Sequence, residues 1–276
     1  MIDLCCGMGD IWDLRARIEI LALAAAGWAC AAELGPETRA AFDRYVRQAE
    51  SRVEAQVRTG DGFLFATSAE RRAVLRDGTI LSEARVPRGE FKVAGGLIHD
   101  WAGAVFIPGA SLRSVLDVVQ AYDRHKEFYT PEVLDSRVLS HKDGDYEVRL
   151  RLLKKKVVTV VLDTEHSVHY ESRDATRWWS RSRSTRIVEL RNPGKASEEP
   201  LPPDTGHGFL WRLNTYWTFQ ELDRGTYVEC EAISLTRNVP RGLAWVVEPI
   251  IRTLPRESLA NTLRATRTAV GGRSRP

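Results

Sequence analysis

Residues 226–237 read TYVECEAISLTR, and their chemistry alternates: Val228, Cys230, Ala232 and Ser234 share one side, Tyr227, Glu229 and Glu231 the other. Successive side chains of a strand point to opposite faces of its sheet, so this segment is a strand with a wall of small residues on one side. Beyond Arg237 the period changes. Leu243, Val246, Val247, Ile250, Ile251 and Leu254 recur as one helical stripe, continued after Pro255 by Leu259, Leu263 and Val270. Pro255 is expected to kink or restart this helix, because it has no N–H for the i−4 bond. A last strand therefore hands over to a long apolar helix, and the small side chains leave either volume between the two or room for close packing.

Upstream, period-2 segments predict strands at 133–140, 145–153, 157–163, 167–171, 178–190 and 210–221. Asp143-Gly144 and Arg224-Gly225 are turn signals that make neighbouring strands antiparallel. Residues 97–107 read as a further strand, broken by Pro108-Gly109, after which Ser111 caps a helix bearing Leu112, Val115, Leu116, Val119 and Tyr122. One more helical turn runs to Tyr129. Between strands, 192–207 carry four prolines and two glycines and read as a surface loop or lid. Nearer the N-terminus, Pro36 opens an amphipathic helix to about Arg58, 63–65 form a short strand, Ser68 caps a brief helix to Leu75, and 79–86 form a strand. The domain reading is 1–32 as a signal segment, 33–92 as an N-terminal extension (helix plus short strands) packed on the main domain, 93–270 as that domain, and 271–276 as a disordered tail.

At 276 residues, 43% apolar and 28% charged, the chain can bury one sizeable core. A net charge of +3 is too small to imply nucleic acid as a partner. Arg173, Arg177, Arg181, Arg183, Arg186 and Arg191 crowd one stretch, with Lys154, Lys155 and Lys156 just before it. Such clusters read as solvated strand faces, with transient contact to an anionic membrane or partner as the alternative. Arg15 and Arg17, the apolar run 18–32 and its small-residue end Ala29-Cys30-Ala31-Ala32 have the order of a secretory signal, which predicts an exported, periplasmic protein. A buried N-terminal helix is the alternative. Removal of the signal would leave Cys230 as the single cysteine, so no internal disulfide forms.

One strand, two short helices, a long antiparallel meander and one C-terminal helix resemble the START-like, polyketide-cyclase-like (helix-grip) superfamily. The stretches that carry the resemblance are 96–101 (GLIHDW) with 106–109 (FIPG), Tyr122-Asp123, 227–237, 239–245 (VPRGLAW) and 255–259 (PRESL). They look like an exported bacterial branch of that superfamily. The resemblance spans roughly 93–270 and implies an α+β fold, a curved antiparallel sheet gripping the last helix around a cavity. It implies a hydrophobic small molecule as ligand, with no cofactor and no choice between binding and catalysis.

Strand alternation then selects the residues facing that cavity. On 178–190, burying Arg181 and Arg183 would cost far more than burying serines, so Trp178, Ser180, Ser182, Ser184 and Arg186 are expected inside. Tyr146, Val148, Leu150 and Leu152 join them on a second strand, and Trp211, Leu213, Thr215, Trp217 and Phe219 on a third. His166 and Tyr170 share an apolar face, where His166 reads first as a satisfied core histidine and second as a cavity group. The candidate ligand-binding set is Tyr146, His166, Tyr170, Trp178, Ser182, Arg186, Thr215, Trp217 and Trp245, with Arg186 anchoring the polar end of an amphiphile. No metal-ligand spacing, phosphate loop or GxSxG elbow occurs, and Glu229 and Glu231 lie on a face that reads as wet. Three functions stay open: carriage of a lipid-like molecule, a cyclase- or hydrolase-type enzyme using the same cavity, and a non-enzymatic protein docking on an anionic surface.

Overall fold

The strand with the small-residue wall, Gly225–Arg237 (β10), lies between β3 (Gly96–Pro108) and β9 (Arg212–Leu222), antiparallel to both. The structure, a computed structural model, describes residues 32–59, 67–155, 159–238 and 244–273, and for 244–252 the backbone only. From β9 the sheet continues through β7 (Arg177–Arg191), β6 (Thr159–Ser172) and β5 (Asp145–Lys155) to β4 (Val133–Lys142). At the other edge β1 (Leu81–Ala84) and β2 (Glu90–Val93) both pair with β3, and the short β8 (Glu199–Pro200) pairs with β7. The signal segment up to Ala31 and the expected strand at 63–65 lie outside the described residues.

Two sets of helices cover the sheet from opposite sides. Helix α1 (Pro36–Thr59) lays Phe42, Val46, Ala49, Val53 and Val57 on the outer face, against Ile98, Phe106, Trp179, Tyr216, Tyr227, Ile233 and Leu235. Its polar flank fixes the docking: Glu50 takes a bidentate pair from Arg183, and Tyr216 donates to Glu50 Oε1 at 3.0 Å. Helix α2 (Ala69–Arg76) comes next, capped by Ser68 as expected. On the inner face sit α3 (Leu112–Val119), capped by Ser111, α4 (His125–Phe128), and the C-terminal α5 (Ala244–Arg273). The helix-grip arrangement expected from the sequence is the one observed.

Several boundaries differ from expectation. The two strands expected at 157–163 and 167–171 are joined in β6, Thr159–Ser172, because its polar centre finds partners: Thr164 Oγ1 donates to the Leu150 carbonyl at 3.0 Å, and Asp163 takes two bonds from Arg149, at 2.6 and 2.7 Å. Pro255 does not restart the last helix, which runs as one span and on to Arg273, past the start expected for the tail. Glu229 and Glu231 are not wet. Helix α1 covers them, Glu231 pairs with Arg52, and Glu229 accepts from Thr218 Oγ1 at 3.0 Å.

Gly103 on β3 lies directly beneath α5. A Cβ there would stand 2.8 Å from Leu263 Cδ1 and 2.9 Å from the Leu81 carbonyl oxygen, the latter a backbone atom that cannot step aside. Gly103→Ala is therefore expected to lower stability by about 1–3 kcal/mol, read as a drop in the urea midpoint at unchanged slope. An unchanged midpoint would mean that α5 rests more loosely on the sheet than this contact implies.

Candidate functional site

Contact at Gly103 holds one flank of α5, through Leu259 and Leu263, against β3. The other flank faces strands whose inner side chains are short. Ser180 and Ser182 on β7, Thr215 on β9 and Ala265 on α5 leave a hollow of about 200 Å³ between helix and sheet. Val148, Leu150 and Leu152 from β5 and Val168 from β6 line it, together with Tyr122, Tyr129 and Tyr170. A second chamber of about 140 Å³ lies between α5 and β10, with Cys230, Ala232 and Ser234 on its wall. Thr215, Trp217, Leu213, Lys154 and Ser258 border both, so the chambers share a boundary. The small-residue wall on β10 thus opens volume rather than admitting closer packing.

The phenols and the imidazole lining this hollow are paired within the protein, whereas Ser180 Oγ is buried without a partner among the described residues. Tyr122 and Tyr170 share a hydroxyl–hydroxyl bond of 2.9 Å, and Tyr129 pairs with Thr266 Oγ1 at 3.1 Å. Burial pushes the Tyr129 phenol up to about 12 and lifts Tyr122 and Tyr170 above the ordinary range, so all three stay protonated at neutral pH. His166 Nε2 lies 3.0 Å from Thr164 Oγ1, and burial pushes its pKa down to about 4. A neutral imidazole of that basicity is a poor general base, and burial holds the Cys230 thiol above its ordinary range, in its protonated form. Among the described residues no group of three His, Cys, Asp or Glu is placed to hold a metal.

Of the sequence-derived set, His166, Tyr170, Ser182, Thr215 and Trp217 come together on the hollow. Tyr146 does not border it and packs instead against Tyr170, edge-on with ring centres 5.7 Å apart, and is stacked on His141 at 4.0 Å. Trp178 packs in the inner apolar cluster rather than among the residues bordering the hollow. The side chain of Trp245 lies outside the described residues.

Arg186 is a correction. The β6–β7 register slips between Glu165 and His166, whose partners are Arg186 and Ser184, so Thr185 is an extra residue and everything beyond it changes face. Ile187 turns inward in place of Arg186, which pairs outside with Asp163 and Glu165, each at 3.4 Å. Trp211, also expected inside, packs with α1 on the outer face. Arg181 and Arg183 face outward as expected, but they meet Glu54 and Glu50 of α1 rather than open solvent.

Sequence reasoning missed Lys154. Grouping it with Lys155 and Lys156 makes it one of a solvated run, yet it continues the inward series Tyr146, Val148, Leu150 and Leu152, and that parity is the signal that could have found it. Its ammonium borders both chambers and donates to Ser258 Oγ at 3.3 Å. The side chain is half-buried, with the hollow beside it. The surrounding protein holds its pKa below the ordinary lysine range, against the weaker opposing effect of Glu132.

The architecture is a helix grip: an antiparallel meander closing on a C-terminal helix, with a hollow between them. No protein-family description matches the chain and no curated protein matches it. Among solved structures it is similar to a STAR-related lipid transfer protein from Xanthomonas axonopodis, at 20% identity over 66% of this chain and 97% of that one, with a TM-score of 0.45. It is also similar to the Zhui aromatase/cyclase from Streptomyces sp. R1128 (12% identity, 64% of this chain, 96% of that one, TM-score 0.43). A START superfamily protein from Mycobacterium smegmatis shows 12% identity over 64% of this chain and 99% of that one, with a TM-score of 0.42.

Proposed function

We propose that the chain binds one hydrophobic or amphipathic small molecule in the hollow between α5 and the sheet, and carries it rather than transforming it. One observation supports this above others: the volume is bounded by carbon-rich walls, while its phenols and imidazole are already bonded to protein partners. Such walls gain roughly 25 cal/mol for each Å² of apolar surface a ligand covers, without any reacting group. In keeping with the basic, apolar and small-residue order of its first 32 residues, the protein would do this after export.

Native mass spectrometry of protein purified from its own membrane-containing extract is expected to show a co-eluting species of lipid-like mass, lost on organic extraction. Protein that is empty under these conditions and takes up no neutral apolar dye would defeat the proposal. Export predicts a mature N-terminus near residue 33 in the periplasmic fraction, checked by N-terminal sequencing.

A further inference from the structure

We propose that the ligand carries an oxyanion head group, a carboxylate or a phosphate monoester, and that Lys154 receives it at the boundary of the two chambers. This deepens the cavity-binding reading and rests on it. Arginines of the central strands have their charges matched: Arg149 by Asp163, Arg151 by Glu198, Arg183 by Glu50, and Arg186 by Asp163 and Glu165. Lys154 differs. Among the described residues its ammonium forms no ion pair, and of its three N–H donors one makes a long bond, to Ser258 Oγ at 3.3 Å.

Glu132 is the acidic neighbour that Lys154 feels, but Glu132 Oε1 is taken by Asn261 Nδ2 at 3.0 Å, and it does not reach the ammonium. A cation walled by carbon and short of a counter-charge is costly, and an incoming anion relieves that cost. The neighbouring Ser258 hydroxyl can turn its proton to the same anion, because toward Lys154 it serves as acceptor. Leu150, Leu213 and Trp217 lie alongside to cover an alkyl tail. Burial lowers the pKa of Lys154, the cost of holding its charge there outweighing the opposing effect of Glu132.

The test uses the full chain and displacement of the neutral dye N-phenyl-1-naphthylamine by dodecanoate, dodecyl phosphate and dodecanol. Wild-type protein is expected to take one of the two acids roughly ten- to a hundred-fold more tightly than dodecanol, and the better acid identifies the head group. Lys154→Met is expected to erase that preference while binding dodecanol at least as well. Lys154→Gln, polar but uncharged, is expected to do the same and serves if the Met variant aggregates. Equal affinity of the wild type for all three, or a preference that survives both substitutions, overturns the head-group assignment and leaves the cavity reading standing. Failure of the dye and all three compounds to bind overturns both.

Discussion

Thr215→Trp is expected to abolish uptake of the neutral dye while leaving a cooperatively folded protein. Thr215 borders both chambers from the middle of β9, so an indole there fills the space a ligand would use and separates one chamber from the other. The change also removes the acceptor of Trp217 Nε1, now 3.2 Å from Thr215 Oγ1, which costs about 1 kcal/mol. Overpacking adds about 1–3 kcal/mol, because the indole must displace walls as well as fill empty volume. Retention of full dye binding by a folded Thr215→Trp protein would place the ligand elsewhere on the molecule.

Acid is expected to destabilise the protein as pH falls from 6.5 toward 4. His99, His125 and His166 are buried, and burial pushes each down to about 4 from 6.5. The folded state therefore binds fewer protons than the unfolded chain between those values. Their stabilisation is complete above pH 6.5 and is lost as pH falls toward 4. At about 1.4 kcal/mol per pH unit, each histidine costs about 3 kcal/mol over the window.

Asp100 opposes them. Burial and the nearby charge of Glu231 raise it to about 7 from 3.8, so folding favours its protonated form and stability falls as pH rises from 3.8 to about 7 on its account. Three groups against one leave a net loss in acid. Urea midpoints at about pH 7.5 and 4.5 measure it, with His166→Gln shrinking the net difference by roughly half, because Asp100 already offsets part of the three-histidine sum. Equal midpoints at the two pH values would show that these imidazoles are better hydrated than their positions imply.

Alternation is legible wherever a strand runs without interruption. Val228, Cys230, Ala232 and Ser234 can be assigned inward from spacing alone, as can Ser182 and Thr215, because a regular strand has only two faces. Arg186 cannot. One extra residue at Thr185 reverses the faces beyond it, and no glycine or proline near the slip announces it. Lys154 is hidden by its neighbours: three lysines in a row read as solvent, although strand parity sends the first of them inward. Glu229 and Glu231 read as wet because nothing in their own strand says that Arg52, 179 residues before Glu231, is carried by a helix to meet it. Such a pairing is set by tertiary packing, which local pattern does not encode.

Trimming the chain to begin at β3 would keep the hollow entire, yet it would strip α1 from Trp179, Tyr216, Tyr227 and Phe106 and leave Arg183 without Glu50. Rings that now make an interior would become a broad adhesive surface, and such a fragment would self-associate at the concentrations needed to study it.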